Sequence, residues 1–529
     1  MLKKFKIYLL TVILVALKHT ELLTGTRDNP ANSVATNSIP VSQSMISIPS
    51  LSTPNGATLI INRPGQYYLT EPLTFYPLGN GYTVIDIQAN DVVLDLASYT
   101  ITSKNPTTFT NLSCINIGNG DDNYHNIHIL NGRINQFTGI GININPNCSS
   151  IYLSDLTIRN CNLGGIVADL ANNIFLDNVN IAHCNGDGTS ATTGEAIGMK
   201  LTDVTFLSAK NCTFNSCISS LRDGSGVKLV SNIIFCNDCN FEDCAACHNG
   251  TSNATHNAYG FRLENTRTCI FKNCTATDNN GFISLNTHGF AFKDGFSNMC
   301  YNCLAASNRT VQTSGTACGF YLSGATNHYF ENCEARNQDA SDATNGLAYG
   351  FYSTASFITA GTGNSFFKCK AHGNRAGTSS SSIAAGFALV NGENRSSIEA
   401  SDASANQGGS GEAYGIKLGQ TGGTQPTFCF INNNRLMNNF GTSAQYGLKD
   451  FSSNSKNTIT RNQAFAQGPV LRNTVCTDTS FMNFMISYID TEANKINNIL
   501  VEGDRAELKV FSTAGPLDNL SIFYSEDIS

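Results

Sequence analysis

Gly260–Asn279 reads GFRLENTRTCIFKNCTATDN, and its internal order recurs along most of the 529-residue chain. A glycine opens an apolar strand, Gly260-Phe261-Arg262-Leu263. A second strand, Cys269-Ile270-Phe271, follows, then Asn273, an apolar Cys274 and a closing Asn279. The glycine-led strand returns at Gly198, Gly226, Gly289, Gly319, Gly350, Gly386, Gly415 and Gly447. The interval is roughly 28 to 36 residues, within the range of stacked repeat arrays. Its variation falls in the Ser/Thr/Asn/Gly/Ala-rich stretch before each glycine, which places loops of free length at one corner of each coil. One coil cannot bury its own apolar face; the next coil buries it. The pattern therefore predicts an all-β fold, a right-handed parallel β-helix with N- and C-terminal caps covering its open edges.

Four further columns follow from laying the coils under one another. Cys212, Cys239, Cys274, Cys303, Cys333 and Cys369 form one. Three residues before its members stand Cys236, Phe271, Cys300, Phe330 and Phe366. Residues two apart share a strand face, so a spacing of three between apolar positions implies a bend between them. Asn178, Asn211, Asn273, Asn302 and Asn332 fall at that bend, and asparagine tolerates left-handed backbone. Five residues after the cysteines the column reads Cys161, Cys184, Cys217, Cys244, then Asn279, Asn308, Gln338, Asn374 and Asn406. This switch implies either a more polar interior or a corner whose side chains turn from core to ladder.

The chain divides at 1–25, 26–55, 56–468 and 469–529. Lys3, Lys4 and Lys6 precede the apolar run Ile7–Leu17, the pattern of a signal peptide or uncleaved N-terminal anchor. That predicts a secreted, periplasmic or cell-surface protein, touching a membrane only through this segment. Residues 26–55 read as a linker or cap approach, 56–468 as the β-helix and 469–529 as a C-terminal cap. The formal charge is −7, and Met1–Gly25 carries four Lys and one Glu, leaving the remainder at −10. A nucleic-acid partner is therefore not expected.

Two stretches carry a family resemblance. Ala89-Asn90-Asp91-Val92-Val93-Leu94-Asp95-Leu96, ending in Tyr99-Thr100-Ile101-Thr102, resembles the opening coils of right-handed parallel β-helix repeat proteins of the pectin-lyase-like superfamily. Asn126-Ile127-His128-Ile129-Leu130-Asn131-Gly132 is similar to their repeated coil phrase. The resemblance covers Thr58 to Gln467. It implies the fold strongly and the activity hardly at all, because that superfamily holds lyases, hydrolases, epimerases, tailspikes and adhesins.

The candidate chemistry is sparse. Asp121-Asp122 resembles the paired aspartates of pectin-degrading glycosidases, in which two carboxylates divide acid and base roles. The partners that family needs, a His-Gly pair and an Arg-x-Lys, are not convincingly present, and Gly-Asp-Asp-Asn is also an ordinary turn. Acidic residues such as Asp203, Asp223, Glu264, Asp294 and Glu331 read as scattered. Cys236, Cys239, Cys244 and Cys247 beside His248 imitate a zinc site, but the columns account for them, so no metal and no cofactor is expected. The 19 cysteines are read mostly as buried thiols, with one or two strained bridges.

The residue two after each glycine is more suggestive: Lys200, Lys228, Arg262, Ala291, Tyr321, Tyr352, Ala388, Lys417 and Lys449. As an outward stripe, Lys200, Lys228, Arg262, Tyr321, Tyr352 and Lys417 suit a polysaccharide or cell-surface glycan, by charge and by ring stacking. A solvated face of β-compatible residues is the more ordinary reading of the same stripe. A second stack, Tyr259, His288, Ala317, Tyr349, Tyr414 and Tyr446, is explained by packing at the loop bases. The sequence thus points first to a non-enzymatic, adhesin-like or glycan-binding surface protein. A polysaccharide lyase or glycoside hydrolase is the alternative, and a structural envelope protein a third. The discriminating feature is a set of carboxylates converging with an Arg or Lys on adjacent coils.

Overall fold

The computed structural model describes residues 59–466, apart from 78, 105–109, 187–193, 233–235, 281–283, 356–360, 421–422 and 452–456, together with the strands Ile46–Ile48 and Phe484–Ser487. The N-terminal segment and most of the C-terminal one lie outside the described residues. The chain is all-β and winds as a right-handed parallel β-helix. One sheet stacks fourteen strands in chain order, from Leu59–Ile61 to Ala444–Asp450. We call it the glycine sheet, because the glycine column runs through it. The second sheet takes two short segments per coil on either side of the predicted bend, such as Ile270–Lys272 and Thr275–Thr277. Phe484–Ser487 pairs in parallel with Gln463–Ala466 and so adds one strand beyond the coils.

The glycines are required by close approach rather than by unusual backbone. A Cβ on Gly260 would lie 2.6 Å from the Gly289 carbonyl oxygen and 2.9 Å from the Ala276 Cβ. Gly260 and Phe261 both face inward while Tyr259 and Arg262 face outward, a local bulge in the alternation. The inward residue after each glycine builds the core. Phe261, Phe290, Phe320, Phe351 and Phe387 stack at 4.7–4.9 Å between ring centroids. Burial of each is worth about 3 kcal/mol.

The bend asparagines all adopt left-handed backbone: Asn178, Asn211, Asn273, Asn302 and Asn332 have φ of 52–53°. The closing amides are fully buried and form a ladder that stays inside the helix. Asn249 donates to Asn279 (3.2 Å), Asn279 to Asn308 (2.9 Å) and Asn308 to Gln338 (2.9 Å). Of the two readings of the cysteine-to-amide switch, the more polar interior is what forms, with the amides bonded to one another from coil to coil.

One coil corrects the predicted columns. Phe241, not Cys236, pairs with Phe271, and Ala245 pairs with Thr275, so Cys244 aligns with Cys212 and Cys274. Cys239 belongs one bend earlier, opposite Leu207, and Asn249 takes the closing position assigned to Cys244. The reason is a five-residue ambiguity. Cys236-Asn237-Asp238-Cys239 imitates the phrase that Phe241-Glu242-Asp243-Cys244 fills, and ring stacking of Phe241 on Phe271 at 4.8 Å selects the second. The eighteen described cysteines are free thiols, all buried except the half-buried Cys247; no strained bridge forms among them. Among the described residues no three His, Cys, Asp or Glu side chains are placed to hold a metal ion.

Candidate functional site

The outer face of the glycine sheet gathers the residues singled out in the sequence. Lys200, Lys228, Arg262, Ala291, Tyr321, Tyr352, Ala388, Lys417 and Lys449 pair consecutively, one per coil. They form one unbroken column, with coils about 4.8 Å apart. A second outward column precedes the glycines: Tyr259, His288, Cys318, Tyr349, Ala385, Tyr414 and Tyr446. Cys318, not Ala317, fills the place before Gly319. Ala317 points inward at the strand base and packs with Ala340, Ala343, Ala348, Ala376 and Ala384.

The basic end of this face is tied up by carboxylates. Arg262 donates to Asp223 at 2.5 Å and to Glu264 at 2.7–2.9 Å, and Glu195 lies 4.0 Å away. Lys228 donates to both oxygens of Glu195, at 2.8 and 2.6 Å. His256 approaches Asp223 at 3.4 Å, and the Arg262 guanidinium sits 4.8 Å from the Tyr259 ring centre. Burial, then the neighbouring Arg262, pull the Lys228 ammonium down from its usual value. Burial also pulls on Arg262, but Tyr259, Glu264 and Asp223 outweigh it and raise the guanidinium. This corrects two expectations. The acids are not all scattered: Asp223 and Glu264 converge with Glu195 on one cation pair. Nor is this end a free basic patch, since three carboxylates face Lys228 and Arg262.

The sequence reading missed Glu195. Its signal is position: Glu195 and Asp223 each stand three residues before a column glycine and pair through adjacent backbone. That places them on the outward side with Tyr259 and Arg262.

Farther along, rings replace charges. His288 stacks on Tyr321 at 4.5 Å, and Tyr321 on Tyr352 at 5.7 Å with 8° between planes. Tyr321 therefore has a neighbour on each face and offers its edge outward. Burial pushes the His288 imidazole down to about 3, which keeps it neutral. Tyr352 is pushed up to about 12 by burial and then by Tyr321. At the far end Tyr414 stacks on Tyr446 at 5.1 Å and donates to Glu412. Lys417 lies 5.3 Å from the Tyr414 ring centre and 5.5 Å from that of Phe451. It is 4% exposed, and burial pulls its ammonium down to about 8, with Glu412 opposing and Lys449 assisting.

Asp121 and Asp122 lie apart from this face, at an exposed turn five coils before Arg262 along the glycine sheet. The Asn119 side chain accepts from both backbone N–H groups at 3.0 Å and donates to Asp122 at 3.0 Å. The pair is accounted for by turn geometry.

No protein-family model matches the sequence, and no curated protein does. Some solved structures are similar to this chain at low identity. The A-module of the Azotobacter vinelandii mannuronan C-5 epimerase AlgE4 is 12% identical over 74% of this chain and 90% of its own, with a TM-score of 0.38. The pectate lyase Pel9A is 14% identical over 58% and 68%, with a TM-score of 0.29. A catalytic domain of a GH87 alpha-1,3-glucanase is 8% identical over 78% and 64%, with a TM-score of 0.35. These likenesses concern the fold alone. Judged by its own coils, its parallel pairing throughout and its glycine and asparagine columns, the chain is a right-handed parallel β-helix.

Proposed function

We propose that this is an exported β-helix protein that binds polysaccharide along the outer face of the glycine sheet, without turning it over. The observation that carries the proposal is the single register column from Lys200 to Lys449. Seven of its nine positions carry a polar tip, a Lys, Arg or Tyr, interrupted at Ala291 and Ala388. Groups held in place before binding lose little freedom on meeting an extended polymer. Export follows from the basic and apolar N-terminal segment, and the negative charge argues against nucleic acid.

A hydrolase or lyase is the second reading, favoured by the convergence of Glu195, Asp223 and Glu264 on Lys228 and Arg262. Against it stands the way each carboxylate is already engaged. Glycosidases need one carboxyl free to give a proton; here cations occupy all three.

Affinity electrophoresis against neutral and uronate polysaccharides, paired with an assay for unsaturated or reducing ends, tests both readings. Binding lost in Tyr352→Ala, with no new ends formed, supports the proposal. New ends that vanish in Glu195→Gln or Asp223→Asn would replace it with the enzymatic reading.

A further inference from the structure

One inward column at the first corner of the coils holds an exception. Thr266, Gly295, Ala325, Gly361 and Glu393 occupy it, since the residues that follow them pair from coil to coil. Four of these side chains are small or absent; the fifth is a glutamate. A Cβ on Gly361 would collide with the Glu393 carboxyl, so the glycine clears the room that this side chain fills. Glu393 is fully buried, a position glutamate almost never takes unless paired.

Its hydrogen bonds are lopsided. Asn364 Nδ2 donates to Oε1 at 2.7 Å, and the Ser396 Oγ lies 2.6 Å from the same oxygen. Oε2 is buried with no hydrogen-bond partner. A carboxylate spreads its charge over both oxygens, so burying it with one of them bare is costly. A neutral acid removes the conflict. Its O–H, on Oε1, donates to the Ser396 Oγ, and Oε2 becomes an uncharged carbonyl. The Ser396 hydroxyl then turns its own hydrogen to the Asn394 carbonyl oxygen, 3.4 Å away. Burial raises the Glu393 carboxyl in the same direction, with Ser396, Asn364 and Ser353 opposing.

Among the described residues no cation pairs with this carboxyl. Ser353 faces it from Leu347–Thr354. His328 reaches it only through Asn364, whose Oδ1 accepts from the His328 backbone N–H at 2.9 Å. From the following coil comes Cys429, whose thiol donates to the Glu393 backbone carbonyl at 3.6 Å and has Asp450 as a second acidic neighbour. Arg395 is exposed. Burial pulls the His328 imidazole down to about 4 and pushes the Cys429 thiol up to about 12. Neither therefore changes charge between about pH 5 and pH 8.

We propose that Glu393 is a pH-sensitive joint inside the stack: as a neutral acid it ties its own corner to that of the Asn364 coil, and as a carboxylate it loosens the coils from Leu347 to Met437. The folded chain keeps this proton to higher pH than the unfolded chain does. The stability it brings is full below the ordinary glutamate value of about 4.3 and is lost as pH rises through the raised folded value. No ligand is involved, so the joint stands or falls apart from the polysaccharide reading.

Native-state hydrogen exchange of the full chain, corrected for the intrinsic pH dependence of exchange, tests it at about pH 5 and pH 8. Peptides from 347–437 are expected to lose about 10-fold in protection between the two. Glu393→Gln keeps the shape without the charge and removes that loss. Glu393→Ala lowers protection by the same factor at both pH values, and it serves in place of the glutamine variant should that one fail to fold. Equal wild-type protection at the two pH values would overturn the assignment. So would a loss that persists in either variant.

Discussion

Two ends of one outer column are held by different physics. Around Arg262 the outward side chains are fixed by ion pairs, with Glu195, Asp223 and Glu264 closing on Lys228 and Arg262. Around Tyr414 they are fixed by rings, in a cluster that includes Tyr349, Ala388, Val390, Tyr414 and Tyr446 and is separate from the interior core. The backbone register is the same in both. A parallel stack repeats whatever its column holds, so like rings reinforce one another, whereas like charges repel unless opposite charges stand in the next column. Glu195 and Asp223 supply those charges at one end. At the other end Lys417 and Lys449 are neighbours on adjacent coils, and aromatic faces surround them instead.

The comparison predicts unequal responses. The largest is expected from Tyr414→Ala. This ring is fully buried within the outer cluster, and its loss should cost about 4 kcal/mol, the scale of large aromatic truncations. Denaturant unfolding should show the loss undiminished in high salt, and hydrogen exchange should place it in coils 383–451, since a solenoid couples neighbours most strongly. A salt-dependent loss would mean that charges hold this end too.

Arg262→Met comes next. It leaves Asp223 and Glu264 facing each other without their cation, a change worth about 3 kcal/mol when a poorly exposed pair is broken. Here the wild type, not the variant, should weaken as salt rises. A variant as stable as the wild type would show that the cluster is solvated and contributes nothing to the fold.

Lys417→Met has the smallest effect and the opposite sign. Burial holds this amine at about 8, below its usual value near 10.4. Between those two values the unfolded chain binds more protons than the folded one. Stability therefore rises as pH climbs through roughly 8 to 10. The methionine variant should lose that rise and be more stable by about 2 kcal/mol near neutral pH. Unfolding midpoints at both ends of that pH window measure it, and an unaltered slope would mean that the ammonium reaches solvent.

The winding was legible because its signals are local. A glycine where a Cβ would strike the next coil, an asparagine at φ near 53° and a phenylalanine after the glycine are each readable from one coil alone. The outer column was legible too, because it stands at a fixed distance from that glycine. Reading failed where two phrases of the same wording stood five residues apart, at Cys236–Cys239 and Phe241–Cys244. Local pattern cannot choose between them; only the stacking partner in the next coil can. Asp121 and Asp122, a suggestive pair that the sequence also reads as an ordinary turn, lie in a turn whose backbone N–H groups donate to the Asn119 side chain.

Residue order alone determined that this chain coils, which side chains enter the core and which column faces out, since all three depend on neighbours a few positions apart. Only the folded stack decided that Glu195 meets Lys228 across 33 residues and that Tyr321 offers an edge instead of a face. Such relations arise between coils. Loop lengths, not local preferences, set which residues become neighbours there.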